Sequence, residues 1–209
     1  MLTYKWYNLT VKISKEKLSK LYNDKLLSAK SIAQFFNCSE SNINYWLNKY
    51  KIKKRSISEA IYLQKNPKGD PFKFNEPRNL EYAFLFGLGL GLYWGEGNKR
   101  NKNSVRLGNI DPDLIIIFMQ FLQKVFNVRK EKFKFGLQIF NDIDPSMALS
   151  FWQKKLSVSP TQFQKVVVTK KRGKGTYRYK AEHGVLTIYV NNKKLRDEIF
   201  NRIENLRKL

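Results

Sequence analysis

Apolar residues recur every three or four positions between residues 14 and 62, which is the spacing of helices with one buried side. The pattern predicts three short helices, at 15–22, 29–36 and 40–50. Ser14, Ser28 and Ser39 precede them, and serine is a favoured N-cap because its hydroxyl accepts a hydrogen bond from a free backbone N–H. The turn at 37–39 between the last two helices is typical of a helix-turn-helix. Its expected core consists of Ile32, Ala33, Phe36, Ile43 and Leu47.

The pattern changes at residues 64–79, where three of the six prolines occur, and this segment is predicted to be a linker. Beyond it, helical stripes alternate with runs of period two. Residues 80–209 are therefore predicted to form an α+β domain, and residues 1–63 a separate helical one. Strands are expected at 104–110, 132–140 and 163–170, followed by a hairpin of 176–180 with 184–190 and a closing helix at 193–206. The triplet Ile-Asp-Pro at 110–112 and again at 143–145 predicts two helix starts, because aspartate caps a helix and proline suits its first position.

Polar and apolar residues alternate along the predicted strands, so the sheet should have one apolar and one basic face. Val105 and Leu107, for example, alternate with Ser104 and Arg106. A lysine-rich face can be merely solvated, but these cations fall on several strands of one sheet, which favours contact with phosphate. The residues expected to make it are Arg106, Lys132, Lys134, Gln138, Arg178 and Lys180, with Lys171 and Arg172 in a loop that would act as a clamp.

The chain carries 40 Lys and Arg against 17 Asp and Glu, a net charge of +23, which indicates an anionic partner. Double-stranded DNA is the expected one; a membrane surface or simple solubility are the alternatives. Cys38 and His183 are the single cysteine and histidine, which excludes a disulfide framework and a cysteine-built zinc site. The most apolar run, residues 82–94, is shorter than the ~20 residues of a membrane span, and the N-terminus has no signal-peptide pattern. We therefore expect a cytoplasmic, nucleoid-associated protein that does not contact membranes.

The third predicted helix carries short polar side chains at the positions where a reader helix faces DNA. Such groups can hydrogen-bond to base edges, and the cations that follow them lie within reach of phosphates. A small helical bundle used for protein contacts is the alternative. The residues expected to read bases are Ser41, Asn42, Asn44, Tyr45 and Asn48, and those expected at phosphates are Lys49, Lys51, Lys53, Lys54 and Arg55.

Residues 81–97 form a glycine-rich helical pattern, EYAFLFGLGLGLYWGEG. Gly87, Gly91 and Gly95 recur every four positions on one face, and each interior glycine costs a helix ~1 kcal/mol relative to alanine. Such a face normally permits close approach of a second helix. Glu96 lies at the negative pole of this helix, where a divalent cation such as Mg²⁺ would offset the unfavourable charge. The alternative is that Glu96 is a solvated turn residue and that the glycines pack against the chain's own sheet.

Residues 89–97, GLGLYWGEG, resemble the LAGLIDADG motif, with Gly91 at the inner glycine, Glu96 at the last acidic position and Gly97 at the closing glycine. The order of helices and strands over residues 80–207 is also similar to that family. The resemblance implies an αββαββα domain with a curved, mainly antiparallel sheet over DNA, and metal-dependent double-strand cleavage by paired acids. Because the chain has one copy of the motif, the resemblance also implies a homodimer that meets at Gly87, Gly91 and Gly95.

Two hypotheses for the function follow. The first is a sequence-specific, homing-type endonuclease of double-stranded DNA. In it, Glu96 and the Gly95 carbonyl hold Mg²⁺ or another divalent cation, while Lys99 or Lys170 stabilises the charge that develops on the phosphate. The second is a DNA-binding transcription regulator whose LAGLIDADG-like domain no longer cleaves. The helix-turn-helix would add base readout in either case.

Overall fold

The structure is a computed structural model, and it describes residues 11–170 and 181–208. The chain divides into two compact units, Met1–Asp70 and Pro71–Leu209, each of which is described by itself. The division falls within the segment predicted as a linker. The described residues contain eight α-helices and one four-stranded sheet, so the fold is mixed α+β, as predicted.

The first unit is helical. Its N-caps are Ser14, Ser28, Ser39 and Ser56, and the hydroxyl of each accepts a hydrogen bond from a backbone N–H three residues further on. The helix predicted at 15–22 is present, but its second half winds as a π-helix, Lys20–Asp24, in which the backbone hydrogen bonds skip one more residue than in an α-helix. The α-helices are α1 (Lys15–Ser19), α2 (Ala29–Phe35), α3 (Glu40–Lys49) and α4 (Ile57–Lys65).

The burial predicted for the core residues of the first unit is confirmed in large part. Ile32, Ile43 and Leu47 are fully buried, whereas Phe36 is only partly buried against them. Asn37 adopts a left-handed conformation, φ 50°, which turns the chain between α2 and α3, and asparagine tolerates this conformation better than most residues.

The second unit alternates helices and strands. Asp111 and Asp144 each cap a helix whose first residue is proline, as the repeated Ile-Asp-Pro triplet predicts. Short 3₁₀ turns, Lys130–Lys132 and Pro160–Gln162, precede the second and third strands. The helices are α5 (Leu80–Glu96), α6 (Pro112–Phe126), α7 (Pro145–Leu156) and α8 (Lys193–Leu206), and the strands are β1 (Val105–Asn109), β2 (Lys134–Phe140), β3 (Val167–Thr169) and β4 (Val185–Val190).

The strand order of the sheet is β1-β4-β2-β3. The central strand β4 runs antiparallel to β1 and to β2, and β3 runs parallel to β2. In the described residues α6 separates β1 from β2 and α7 separates β2 from β3, so the predicted order αββαββα is wrong. The physical reason is local: each Asp-Pro pair stops a strand and starts a helix, because proline cannot donate to a strand ladder. The predicted strand 176–180 lies outside the described residues.

Helix α5 packs closely on α6 at one glycine. Gly89 is buried, and a Cβ there would overlap the ring of Phe121, which is itself fully buried on α6. By contrast, a Cβ at Gly87, Gly91 or Gly95 would meet no atom within 4 Å. The glycines predicted to pack against a helix therefore face away from this unit, and the sequence prediction that they could pack on the chain's own sheet is wrong.

We predict that Gly89→Ala lowers the free energy of unfolding of the second unit by about 2 kcal/mol, because overpacking outweighs the gain in helix propensity. Urea unfolding followed by circular dichroism measures this. The matched control is Gly87→Ala, which adds the same methyl group to the open side of α5 and should raise the stability by up to about 1 kcal/mol. Both variants are compared at protein concentrations too low for a dimer. An unchanged midpoint for Gly89→Ala would refute the close contact with Phe121.

Candidate nucleic-acid interface

The outward side of α3 presents polar and cationic groups. Ser41, Tyr45, Asn48 and Lys49 are exposed, and Asn44 is half-buried beside them. The Lys49 ammonium donates to the Tyr45 hydroxyl at 3.5 Å and lies over the rings of Tyr45 and Trp46. A hydroxyl, amides and an ammonium thus share one side of a helix, which is a set able to hydrogen-bond to base edges and phosphates.

Asn42 does not belong to that outward side, which corrects the sequence prediction. Its side chain is only 8% exposed, and its amide donates to the Val11 carbonyl at 3.1 Å. The Trp46 indole N–H donates to the same carbonyl at 2.8 Å. The two residues are four positions apart on a helix and so share a face. That spacing from a tryptophan was the available signal that Asn42 points inward.

Arg55 is also used inside the first unit rather than on its surface. Its guanidinium donates to the carbonyls of Leu26, at 2.9 Å, and Leu27, and lies over the Tyr22 ring at 4.0 Å. The role expected for Arg55 at a phosphate is therefore replaced by a structural one. The neighbouring Lys53 and Lys54 are exposed and keep the expected position.

The predicted alternation is confirmed on the inner side of the sheet. On the outer side, a tyrosine joins the predicted cations. Leu107, Phe135 and Ile188 align across the three strands and are fully buried. On the opposite face Arg106, Tyr189 and Lys134 align, one on each of β1, β4 and β2. Sequence reasoning missed Tyr189, although its position two residues from Thr187 on a predicted strand places both on one face.

The outer face of the sheet is cationic. Arg106 donates from Nε to the Ser104 hydroxyl at 2.7 Å, and Lys134 donates to the Thr161 carbonyl at 3.5 Å. Gln138 is exposed further along β2; Lys132 is exposed too, but it lies in the 3₁₀ turn before the strand rather than in the strand as predicted. The described strands contain no aspartate or glutamate, and the ion pairs that the structure describes lie on helices, for example Lys124–Glu81 at 3.2 Å.

Helix α5 carries an open apolar face that ends at an acid. Leu80 and Phe84 are 86% and 70% exposed on the same side as Gly87 and Gly91. Glu96 is the last residue of the helix and is exposed. The last turns of α5 are anchored on the inner side by Tyr93, whose ring is buried and stacks on Phe118 with the ring centroids 5.8 Å apart. Burial raises the pKa of the Tyr93 phenol, against the opposing charge of Arg196.

Lys99 lies at the end of α5, where its ammonium donates to the Gly95 carbonyl at 3.1 Å. The Lys99 carbonyl in turn accepts from Arg196 at 3.4 Å. Glu96 and the Gly95 carbonyl offer a carboxylate and a carbonyl oxygen, the hard ligands that suit Mg²⁺, which takes its remaining ligands from water and phosphate. The described part of the chain contains no group of three or more acidic, histidine or cysteine side chains that could hold a metal by themselves.

The remaining predicted site residues lie away from this acid in the chain. Lys170 is exposed directly after β3, and the structure records no contact between it and Glu96. Four expected DNA contacts, Lys171, Arg172, Arg178 and Lys180, fall outside the described residues.

No protein-family model, no curated protein and no solved structure matches this chain. Of the helices that the structure describes, none has both the length and the apolar character needed to cross a membrane.

We predict that Asn42→Ala destabilises the first unit by about 0.5–1.5 kcal/mol, because it removes one of the two side-chain hydrogen bonds to the Val11 carbonyl and leaves only that of Trp46. Thermal unfolding by circular dichroism measures the effect. Asn48→Ala is the matched control: its side chain is exposed, so the melting temperature should stay the same while base preference in a binding selection relaxes. Equal stability of the two variants would contradict the inward position of Asn42.

Proposed function

We propose that this chain is a homing-type endonuclease of double-stranded DNA that works as a homodimer with a divalent metal. The observation that carries the proposal is the open glycine face of α5, which ends at the exposed carboxylate of Glu96. It is the feature on which the resemblance to the LAGLIDADG family rests. The order of helices and strands along the chain differs from the αββαββα order of that family. The proposal therefore depends on helix α5 and Glu96 rather than on the sheet.

The sizes of the side chains along the open face suit two copies of α5 packed together. Leu80 and Phe84 occupy the N-terminal half, and Gly87, Gly91 and Gly95 follow. In a two-fold dimer with parallel helices, the backbones would approach most closely over the glycines, and the two Glu96 carboxylates would converge at the same end. Burial of the two large apolar side chains would supply about 25 cal/mol for each Å² of apolar surface removed from water.

DNA binding would use both units. The exposed side of α3 would read base edges with Ser41, Tyr45 and Asn48, while Lys53 and Lys54 would contact phosphates. The outer face of the sheet would contact the backbone through Arg106 and Lys134. The net charge of +23 makes such binding strongly dependent on salt, since each neutralised phosphate releases counterions.

In the cleavage reaction, Glu96 and the Gly95 carbonyl would hold the divalent ion. When bound, such an ion supplies a polarised water and stabilises the leaving oxygen. Lys99 donates to the Gly95 carbonyl in the free protein, so this ammonium must first move away. Lys99 follows the acid by three residues in the chain, and once released it would be available to stabilise the negative charge on the scissile phosphate. Lys170 is the second cation proposed for that role.

The second candidate function is a transcription regulator that has kept the domain without cleavage. The hydrogen bond from Lys99 to the Gly95 carbonyl favours it, because an ammonium at that carbonyl takes the place that a metal ion would occupy. In this case the dimer and the DNA contacts are retained, and only the catalytic step is absent.

We predict that the wild-type protein cleaves members of a plasmid library in Mg²⁺ and that Glu96→Gln abolishes cleavage while duplex binding persists. The substitution removes the charge that holds the metal and keeps the size of the side chain. Glu182→Gln, an exposed acid outside α5, is the matched control and should cleave like the wild type. Cleavage that survives Glu96→Gln would overturn the mechanism, and specific binding without any cleavage by the wild type would establish the regulator instead.

We predict that the protein sediments as a dimer and that Gly91→Leu converts it into a folded monomer, because a branched side chain holds the two backbones apart. Analytical ultracentrifugation gives the mass, and circular dichroism shows that the fold is intact. Gln120→Leu adds the same side chain at an exposed position of α6 and should remain dimeric. A Gly91→Leu protein that is still dimeric would place the dimer contact elsewhere.

A further inference from the structure

Two glycines oppose each other across the central strand on the outer face of the sheet. Gly108 on β1 and Gly136 on β2 both pair with Thr187 on β4. Glycine weakens a strand interior, and it commonly marks a point where a ligand or another backbone approaches closely. The middle of this face is therefore a shallow floor with one small side chain.

The fold itself does not require glycine at position 136. Its φ is not in the left-handed region that favours glycine, and a Cβ there would meet no atom within 4 Å. At Gly108 a Cβ would lie 3.1 Å from the Thr187 hydroxyl, a small rotatable group that can move aside. A valine or threonine at Gly136 would fit the strand and raise its β propensity. The described residues thus give no reason for glycine at this position.

An unpartnered hydroxyl lies beside this floor. Tyr189 is two residues along β4 from Thr187, on the same face, and is only 6% exposed; its hydroxyl is buried and has no hydrogen-bond partner among the described residues. A buried polar group without a partner is unfavourable. Burial raises the pKa of this phenol, against the opposing charge of Arg106, so the group stays protonated and needs an acceptor. The Arg106 guanidinium lies 5.2 Å from the centre of the ring.

The groups around the floor are hydrogen-bond donors with positive charge. Arg106 and Lys134 flank Tyr189 on the neighbouring strands, which lie roughly 4.8 Å away on each side. The structure records no carboxylate paired with either cation in the part of the chain that it describes. The fitting ligand is therefore an extended anion that only accepts hydrogen bonds and needs room close to the sheet. A phosphodiester chain has these properties.

We propose that the floor Gly108–Thr187–Gly136 seats one sugar-phosphate strand of duplex DNA, with Tyr189 donating to a phosphate oxygen between Arg106 and Lys134. The Arg106 guanidinium lies 5.2 Å from the centre of the Tyr189 ring on a long, flexible side chain, so a phosphate that pairs with it can draw it aside from the ring. The inference rests on the DNA-binding part of the proposed function and is independent of cleavage. It adds a backbone seat and a positioning residue that sequence reasoning did not identify.

The first test adds bulk to the floor. Gly136→Val should bind a DNA duplex about tenfold more weakly in a fluorescence anisotropy titration, which corresponds to one good phosphate contact. Its melting temperature should be equal to or higher than that of the wild type, because valine suits a strand. Gly136→Ala, with one methyl group, should lie between the two. The titrations are carried out in EDTA, where cleavage does not interfere.

The second test removes the hydroxyl alone. Tyr189→Phe should bind duplex about tenfold more weakly with no loss of melting temperature, since the deleted group has no partner in the free protein. The salt dependence should keep its slope because no charge is removed, whereas Arg106→Gln should reduce the slope by about one. Tyr82→Phe, a half-buried phenol on α5, is the matched control and should bind like the wild type.

The outcomes distinguish failure of this backbone-binding site, called the seat, from failure of the proposed DNA binding. If the wild type binds duplex and both Gly136→Val and Tyr189→Phe bind equally well, the seat is wrong and the proposed DNA binding stands. If Gly136→Val loses affinity only together with a fall in melting temperature, the fold explains the glycine and the seat is again wrong. If the wild type does not bind duplex at all, the seat and the proposed function fall together.

Discussion

The contact between Gly89 and Phe121 determines which side of α5 faces outward. A helix has one line of closest approach to its neighbour, and the missing side chain at Gly89 places that line on α6. Because residues two positions away on a helix point in nearly opposite directions, Gly87 and Gly91 then lie on the free side. This contact therefore determines which residues form the exposed apolar face. It also places Tyr93 on the inner side, near the end of the helix that carries Glu96.

Elements with a local chemical signal could be predicted closely from the sequence. The Asp-Pro pairs at 111–112 and 144–145 start helices at the expected residues because capping and proline geometry depend only on neighbouring atoms. The closing helix Lys193–Leu206 has the predicted bounds. The buried face of β1 and β2 was also predicted correctly, because successive side chains of a strand point to opposite faces of the sheet.

Features that depend on distant partners could not be predicted in this way. Asn42 was assigned to the DNA face because asparagine is polar, yet its amide N–H donates to a carbonyl 31 residues away. Arg55 likewise finds its acceptors in the turn after the first helix. The order αββαββα, which the resemblance implied, was wrong because helices start at Pro112 and Pro145, where that order has hairpins. In the candidate site, Glu96 is a prediction from the motif, whereas Tyr189 became a candidate only when its register with Arg106 was known.

Two open surfaces carry several unfavourable features of this chain. On α5, three outward glycines each cost ~1 kcal/mol relative to alanine, and a glutamate stands at the negative pole of the helix. On the sheet, Gly136 weakens a strand that would accept a side chain, and the Tyr189 hydroxyl is buried without a partner. The Lys99 ammonium at the Gly95 carbonyl offsets part of the negative pole of α5, and the described residues show no contact that offsets the other costs. Local rules are most often broken where a protein meets something else, so the proposed second helix on one surface and the proposed phosphate strand on the other would account for both sets of exceptions together.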